Sequence, residues 1–208
     1  MLFSDRREAG TRLAKLLGAY QRQSDAVVLG LPRGGAVTAA AVARALNLPL
    51  DIIVARKIGA PHNEEYAIGA VTEQGEPLLD EGAIAALEVT PEYLEKTIAA
   101  ERREASRRRA TYRGQRPPLK LAGQTAILID DGVATGATMR AAIREARALG
   151  AAKVIVATPV IARDTLERLR AEANEVIYLD APLFFGAVGA FYENFAQTTD
   201  EEVINLLK

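Results

Sequence analysis

Five short apolar segments, separated by longer stretches of different character, place the strongest constraint on how this chain folds. They lie at residues 26–31, 50–55, 125–130, 153–158 and 175–180. Each is rich in Val, Ile, Leu or Ala and has the length of a strand buried on both faces. Stretches with helical spacing lie between or beside them, at 34–46, 136–149 and 162–172. This alternation predicts an α/β fold, an open Rossmann-like parallel sheet with flanking helices.

The section between the second and third segments interrupts the alternation. Residues 58–65 are predicted to form a loop, and residues 66–79 a hairpin that turns at Glu73–Glu76. Pro91 favours the first turn of a helix, so a long polar helix is predicted from Pro91 to about Tyr112. We therefore expect one domain over 1–208, with its core at about 26–160 and an insertion at about 76–120.

Composition excludes several kinds of site. The 208 residues include no Cys and one His, His62, which excludes thiolate chemistry, iron–sulfur clusters and metal sites that need two His. A net charge of −1 argues against a generally nucleic-acid-coated protein. No apolar run approaches the roughly 18 residues of a membrane span, and the charged N-terminus does not resemble a signal peptide. We expect a cytoplasmic protein with no membrane partner; a helix over about 4–20 is predicted to begin it.

The most informative motif is residues 127–138, Ile-Leu-Ile-Asp-Asp-Gly-Val-Ala-Thr-Gly-Ala-Thr. A predicted strand ends in Asp130 and Asp131, and a helix begins near Thr135 and Thr138. A helix N-terminus after a Gly-rich turn offers amide N–H groups to a phosphate. Carboxylates would repel that phosphate, so they are expected to face sugar hydroxyls or Mg²⁺. The pattern predicts a site for a ribose 5-phosphate; the plainer alternative is a strand-to-helix turn with a Thr cap.

This stretch resembles the motif by which type I phosphoribosyltransferases bind phosphoribosyl pyrophosphate (PRPP). The resemblance implies that Asp130 and Asp131 hold the ribose hydroxyls, with Mg²⁺ carried by PRPP and these two acids as candidate ligands. It also implies that a six-residue loop holds the 5-phosphate: Val133, Ala134, Thr135, Gly136, Ala137 and Thr138. The implied fold is that of the type I family, with an inserted hairpin and helix and a small C-terminal hood at about 181–208.

Two further segments support the resemblance. Leu29–Gly35, Leu-Gly-Leu-Pro-Arg-Gly-Gly, follows the first predicted strand and looks like the family's pyrophosphate loop, in which a non-proline cis peptide is common. Ala55–Pro61, Ala-Arg-Lys-Ile-Gly-Ala-Pro, is similar to the Arg-Lys-x-Gly run of adenine phosphoribosyltransferases. The pyrophosphate contacts implied are Pro32, Arg33, Gly34, Gly35, Arg56 and Lys57. Arg33 and Lys57 join the two aspartates as candidate catalytic residues. Alone, either segment could be an ordinary turn.

The resemblance also implies two variable parts. Residues 58–70 are expected to be a mobile loop that closes over substrate, with Asn63, Glu64, Glu65 and Tyr66 as contacts and His62 as a polar loop residue. Phe185, Phe191 and Tyr192 of the hood are candidates for stacking on a base, although packing against the sheet would explain most of these rings equally well.

The expected activity is transfer of ribose 5-phosphate from PRPP to a nitrogenous base, with Mg²⁺ as cofactor and a homodimer as one possible assembly. In members that use 6-oxopurines, the position of Ala134 carries an Asp that handles a proton, so that route is disfavoured here. The alternative is a regulator that senses PRPP and binds nucleic acid through the Arg-rich stretch 102–109. We favour a solvated helix face for that stretch, with Glu104 and Arg108 paired at i,i+4. A complete amidotransferase is disfavoured because no Cys is present for a glutaminase.

Overall fold

A parallel five-stranded sheet forms the centre of the structure, as the alternation predicts. The computed structural model describes residues 1–208, apart from the side chain of residue 65. The strands are β1 (Ala26–Gly30), β2 (Leu50–Ile52), β6 (Thr125–Ile129), β7 (Lys153–Val160) and β8 (Glu175–Asp180), in the order β2-β1-β6-β7-β8. A second, antiparallel sheet contains β3 (Ala55–Ala60), β4 (Asn63–Thr72) and β5 (Leu78–Leu79).

Seven α-helices surround these sheets. They are α1 (Arg6–Leu16), α2 (Gly34–Leu46), α3 (Glu81–Ala86), α4 (Pro91–Arg113), α5 (Ala137–Ala148), α6 (Arg163–Glu172) and α7 (Asp200–Leu206). Short 3₁₀ turns lie at Gly18–Tyr20 and Val188–Phe191. The first helix begins at Arg6 because the Asp5 carboxylate accepts a hydrogen bond from the Glu8 N–H and caps it, and it ends at Leu16, before the 3₁₀ turn at Gly18–Tyr20. Among the described residues, no helix is both long and apolar enough to cross a membrane.

Helices cover both faces of the parallel sheet. Strand β1 is buried along its whole length, and its successive side chains point to opposite faces. Val27 and Leu29 pack in the same cluster as Met139 of α5, whereas Val28 packs with Leu13 of α1 and with α2. Burial on both faces explains why β1 is a continuous apolar run.

The structure corrects the prediction of a loop at residues 58–65. These residues belong mainly to β3 and β4, which pair as a hairpin that turns at Pro61–His62. Buried Ile58, Ile68 and Val71 pack with residues of α3 and α4, and this packing stabilises regular strands. The predicted hairpin over 66–79 is confirmed by the antiparallel pairing of β4 with β5.

The second predicted strand is also shorter than expected. It leaves the parallel sheet after Ile52, and the chain enters the antiparallel sheet at Ala55. Arg56 and Lys57 therefore lie within β3 and not in a turn that follows a strand of the central sheet.

Candidate functional site

A cavity of about 240 Å³ lies beyond the carboxyl end of β6, where open α/β sheets bind ligands. Asp130 and the loop that follows it form one wall of the cavity. The full lining is Lys57, Ala67, Asp130, Gly132, Val133, Ala134, Thr135, Gly136, Ala137, Thr138 and Val188. The structure thus brings together Asp130, Lys57 and all six residues of the predicted 5-phosphate loop.

The backbone of this loop is held in place by α6. The Thr165 hydroxyl donates a hydrogen bond to the Ala134 carbonyl at 2.5 Å. Gly136 has φ +76°, and a Cβ there would lie 2.5 Å from the Thr165 methyl carbon, so only Gly fits. Helix α5 begins at the next residue, and its N-cap residue, Gly136, has no side chain with which to cap it. The amides of its first turn are therefore available to an anion.

The predicted pyrophosphate loop packs directly on the acid pair. The peptide bond between Pro32 and Arg33 is cis. A Cβ on Gly34 would lie 2.0 Å from Oδ2 of Asp131, and one on Gly35 would lie 2.7 Å from Oδ1 of Asp130. The absence of both side chains allows the loop and the two acids to touch.

The side chains of the two aspartates face different sides, although both were expected to face sugar hydroxyls or Mg²⁺. Asp130 lines the cavity, and its Oδ1 accepts the Asp131 N–H at 2.9 Å. Asp131 is absent from the cavity wall, and its Oδ2 accepts a hydrogen bond from Nε of Arg6 at 2.6 Å. Burial, followed by the charge of Asp131, raises the pKa of Asp130 well above its ordinary value.

The three cations predicted at the pyrophosphate site are separated. Adjacent residues of a strand point to opposite faces, so Lys57 lines the cavity whereas Nε of Arg56 contacts Glu101 of α4 at 2.7 Å. Arg33 lies with its Nη1 3.4 Å from Oδ1 of Asp200, outside the wall of the cavity. Only Lys57 of the three stands beside Asp130.

Comparison with known proteins places this chain in a family. The sequence model of the phosphoribosyl transferase domain matches residues 6–193. The chain belongs to the phosphoribosyl transferase family. "Putative phosphoribosyl transferase Rv0571c" of Mycobacterium tuberculosis H37Rv is 41% identical over 206 residues, 99% of this chain and 46% of that protein. The chain therefore spans about half the length of the curated relatives it matches.

A solved structure is similar to this chain over its whole length. The crystal structure of TT1426 from Thermus thermophilus has a TM-score of 0.82 with this phosphoribosyl transferase domain. The two chains are 45% identical, and the match covers 100% of this chain and 98% of that one.

In this phosphoribosyl transferase domain, one of the hairpin residues expected to contact substrate lies near the 5-phosphate loop. Tyr66 lies beside a second cavity of about 510 Å³, which it shares with Thr135 of the 5-phosphate loop. Asn63, Glu64 and the turn residue His62 are exposed. The contact predicted at Glu65 is not assessed, because the side chain of residue 65 lies outside the described part of the structure.

The aromatic residues of the hood divide into two groups. Tyr192 is buried, its ring lies 5.4 Å from that of Phe3, and its hydroxyl donates to the Asp131 carbonyl at 2.5 Å. Its ring is thus part of the core and is not presented to a base. Phe185 and Phe191 are half-buried and contact each other, with ring centroids 5.3 Å apart.

Four residues of the site have no distinctive sequence signal. They are Arg6, Thr165, Val188 and Asp200, which come from the two ends of the chain and from α6. Val188 lies against Gly132 in the wall of the cavity, and Asp200 accepts a hydrogen bond from Tyr112 at 2.7 Å besides contacting Arg33. Their roles depend on contacts distant in sequence, which local patterns do not reveal.

The Arg-rich stretch of α4 makes ion pairs within the molecule. Arg107 and Arg108 both contact Glu104, at 2.7 and 2.6 Å, as predicted for the second pair. Arg109 pairs with Glu73 in the turn after β4. Paired charges of this kind reduce the positive field that α4 can present to a phosphate backbone.

Proposed function

We propose that this chain transfers the ribose 5-phosphate group of PRPP to a ring nitrogen of a base, with release of pyrophosphate. The observation that carries the proposal is a single cavity lined by Asp130, by Lys57 and by the N-terminus of α5, whose N-cap residue Gly136 has no capping side chain. This combination suits a phosphorylated sugar. The N-terminus of α5 and the Lys57 cation attract the phosphate, and the Asp130 carboxylate accepts hydrogen bonds from the sugar hydroxyls.

Each part of the site would have a defined task. The loop 133–138 binds the 5-phosphate through its amides and the hydroxyls of Thr135 and Thr138. Asp130 orients the ribose and, in its ionised form, stabilises the positive charge that develops on the sugar ring in the transition state. The bond from the sugar's C1 to the pyrophosphate oxygen breaks, its electron pair leaves with pyrophosphate, and C1 bonds to the base nitrogen. The nitrogen's proton passes to water.

Magnesium fits this donor set as a partner of the substrate. Asp130 offers carboxylate oxygens at the cavity, the ligand type that Mg²⁺ prefers, whereas the other candidate ligand, Asp131, is paired with Arg6. The described side chains include no group of three or more acids, His or Cys able to hold a metal together, so the phosphates of PRPP and water would complete the coordination. When bound, the ion would neutralise charge on the leaving pyrophosphate.

The acceptor and the setting of the reaction are also proposals. Ala134 has only a methyl group to offer a purine ring, which favours an acceptor other than a 6-oxopurine handled through an acid at this position. Closure of the β3–β4 hairpin over bound PRPP would exclude water from the sugar cation. We propose a cytoplasmic location, PRPP and a small base as partners, and a homodimer as one assembly to be tested.

The experiment is pyrophosphate release from Mg²⁺–PRPP against a panel of purines and pyrimidines. One base should support release, and Asp130→Asn should lower the rate about 100-fold, since loss of one electrostatic contact typically costs ~3 kcal/mol of barrier. Asp25→Asn, an exposed acid in the turn before β1, is the matched control. Tight PRPP binding without release for any base would favour the sensing regulator, and failure to bind PRPP would refute both functions.

A further inference from the structure

Arg6 stands where the N-terminal helix meets the acid pair. Its Nε donates to Oδ2 of Asp131 at 2.6 Å, and its Nη1 donates to the Ala196 carbonyl at 2.8 Å. The carbon at the centre of its guanidinium lies 3.9 Å from the ring centroid of Phe195. The side chains of Arg6 and Asp131 are 11% and 13% exposed, so this ion pair is far less hydrated than a surface pair.

Residues near the two chain termini bind Asp131, one at its side-chain carboxylate and one at its backbone carbonyl. Arg6 binds its carboxylate, and the Tyr192 hydroxyl donates to its carbonyl at 2.5 Å. Phe195 connects the two contacts, because its ring lies under Arg6 and 5.1 Å from the ring of Tyr192. The second acid of the motif therefore has a fixed orientation that depends on both ends of the chain.

This contact is continuous with the predicted pyrophosphate loop. A Cβ on Gly34 would lie 2.8 Å from Nε of Arg6 and 2.0 Å from Oδ2 of Asp131, so the loop backbone touches the ion pair. On the other side, the Asp131 N–H donates to the carboxylate of Asp130 in the cavity. A displacement of Asp131 would therefore move both the loop and the cavity carboxylate.

We propose that Arg6 is a positioning residue for PRPP, a role that rests on the proposed function. It fixes Asp131, and through Asp131 it fixes the pyrophosphate loop at Gly34 and the carboxylate of Asp130. Lys at this position could pair with Asp131, but it lacks the planar group that also contacts Ala196 and stacks on Phe195. The conservative change should therefore restore only part of the function.

The test measures binding of Mg²⁺–PRPP by calorimetry, together with KM and kcat for pyrophosphate release, in Arg6→Gln, Arg6→Lys and the control Arg7→Gln. Arg7 is the next residue of α1 and is exposed. We expect Arg6→Gln to raise the Kd and KM for PRPP at least about tenfold with a smaller change in kcat, because it removes binding that is shared by the ground state and the transition state. Arg6→Lys should lie between Arg6→Gln and the wild type, and Arg7→Gln should match the wild type.

The outcomes separate this inference from the proposed function. A wild-type protein that does not bind PRPP refutes the proposed function itself. Wild-type binding with unchanged affinity in folded Arg6→Gln, or an equal loss in Arg7→Gln, refutes the positioning role alone. If Arg6→Gln does not fold, Phe195→Leu serves as the second variant, because it removes the stacked ring and leaves the ion pair. A Kd for PRPP equal to that of the wild type in both Phe195→Leu and Arg6→Lys would also refute the positioning role.

Discussion

Arg113, the last residue of α4, donates two hydrogen bonds to the carboxylate of Asp51 in β2. Nε to Oδ1 is 2.8 Å, Nη2 to Oδ2 is 2.9 Å, and the side chains are 5% and 12% exposed. The same Nη2 donates to the Pro117 carbonyl at 2.7 Å. This bidentate pair anchors the inserted helix to the edge strand of the central sheet.

Arg113→Met should therefore destabilise the fold strongly. The substitution removes both Arg113 hydrogen bonds from a buried carboxylate and leaves Nη1 of Arg116, 3.9 Å from Oδ2, as its remaining ion-pair contact. Removing one partner of a buried pair typically costs about 3–5 kcal/mol. Urea unfolding measures the loss, and Arg103→Met at an exposed position of the same helix is the control. Adding Asp51→Asn to Arg113→Met should recover part of the stability; an equal or greater loss in the double variant would argue against an unpaired charge as the cause.

Gly34→Ala should damage the contact between the pyrophosphate loop and the acid pair. The new Cβ would stand 2.0 Å from Oδ2 of Asp131, so the carboxylate or the loop must move. Forcing an extra carbon into a packed site typically costs about 1–3 kcal/mol. The matched control is Gly18→Ala, where nothing lies within 4 Å of the Cβ. Similar unfolding midpoints for both variants would contradict this reading of the contact.

Thr165→Val should loosen the 5-phosphate loop. Valine has nearly the shape of threonine but lacks the hydroxyl that donates to the Ala134 carbonyl, and one such hydrogen bond is worth about 1 kcal/mol. We expect a raised KM for PRPP with the fold retained. Thr111→Val removes a comparable bond to the Arg107 carbonyl on the exposed side of α4 and should leave KM unchanged. An unchanged KM in Thr165→Val would show that the loop does not need this support.

Glu145 should make stability depend on pH. Its Oε2 is buried without a hydrogen-bond partner. Burial, reinforced by the charge of Glu73, raises the pKa of Glu145, while the Thr72 hydroxyl and Arg109 oppose that rise. The folded state thus binds this proton more tightly than the unfolded chain, so the free energy of unfolding falls as pH rises through the folded-state pKa.

The substitution Glu145→Gln removes that ionisation. The free energy of unfolding of the variant, minus that of the wild type, should be more favourable to the variant near pH 8 than near pH 5. Urea unfolding of both proteins at the two pH values measures this difference. Glu167→Gln, whose side chain is 71% exposed and pairs with Arg170, should show no such difference. A gain that is the same at both pH values would mean that Glu145 does not titrate as its burial requires.

Much of the fold could be predicted because it depends on local pattern. The apolar run of β1 has to be buried on both faces, and α2 and α4 begin and end within a residue of the predicted limits. The hairpin at 55–72 was missed for the opposite reason. Its sequence has too few consecutive apolar residues to predict strands. The strands are stabilised by the packing of α3 and α4 on Ile58 and Ile68, which are contacts distant in sequence.

The sequence by itself determined the chemistry of the motif: a strand that ends in Asp130 and Asp131, and a turn whose amides and hydroxyls suit a phosphate. Only the tertiary structure decided which way each group faces. Adjacent residues at a strand's end can point to different sides, so Asp130 enters the cavity whereas Asp131 binds Arg6. Strand alternation likewise separates Lys57 from Arg56. Partners such as Arg6 are distant in the chain, and only folding brings them to the site.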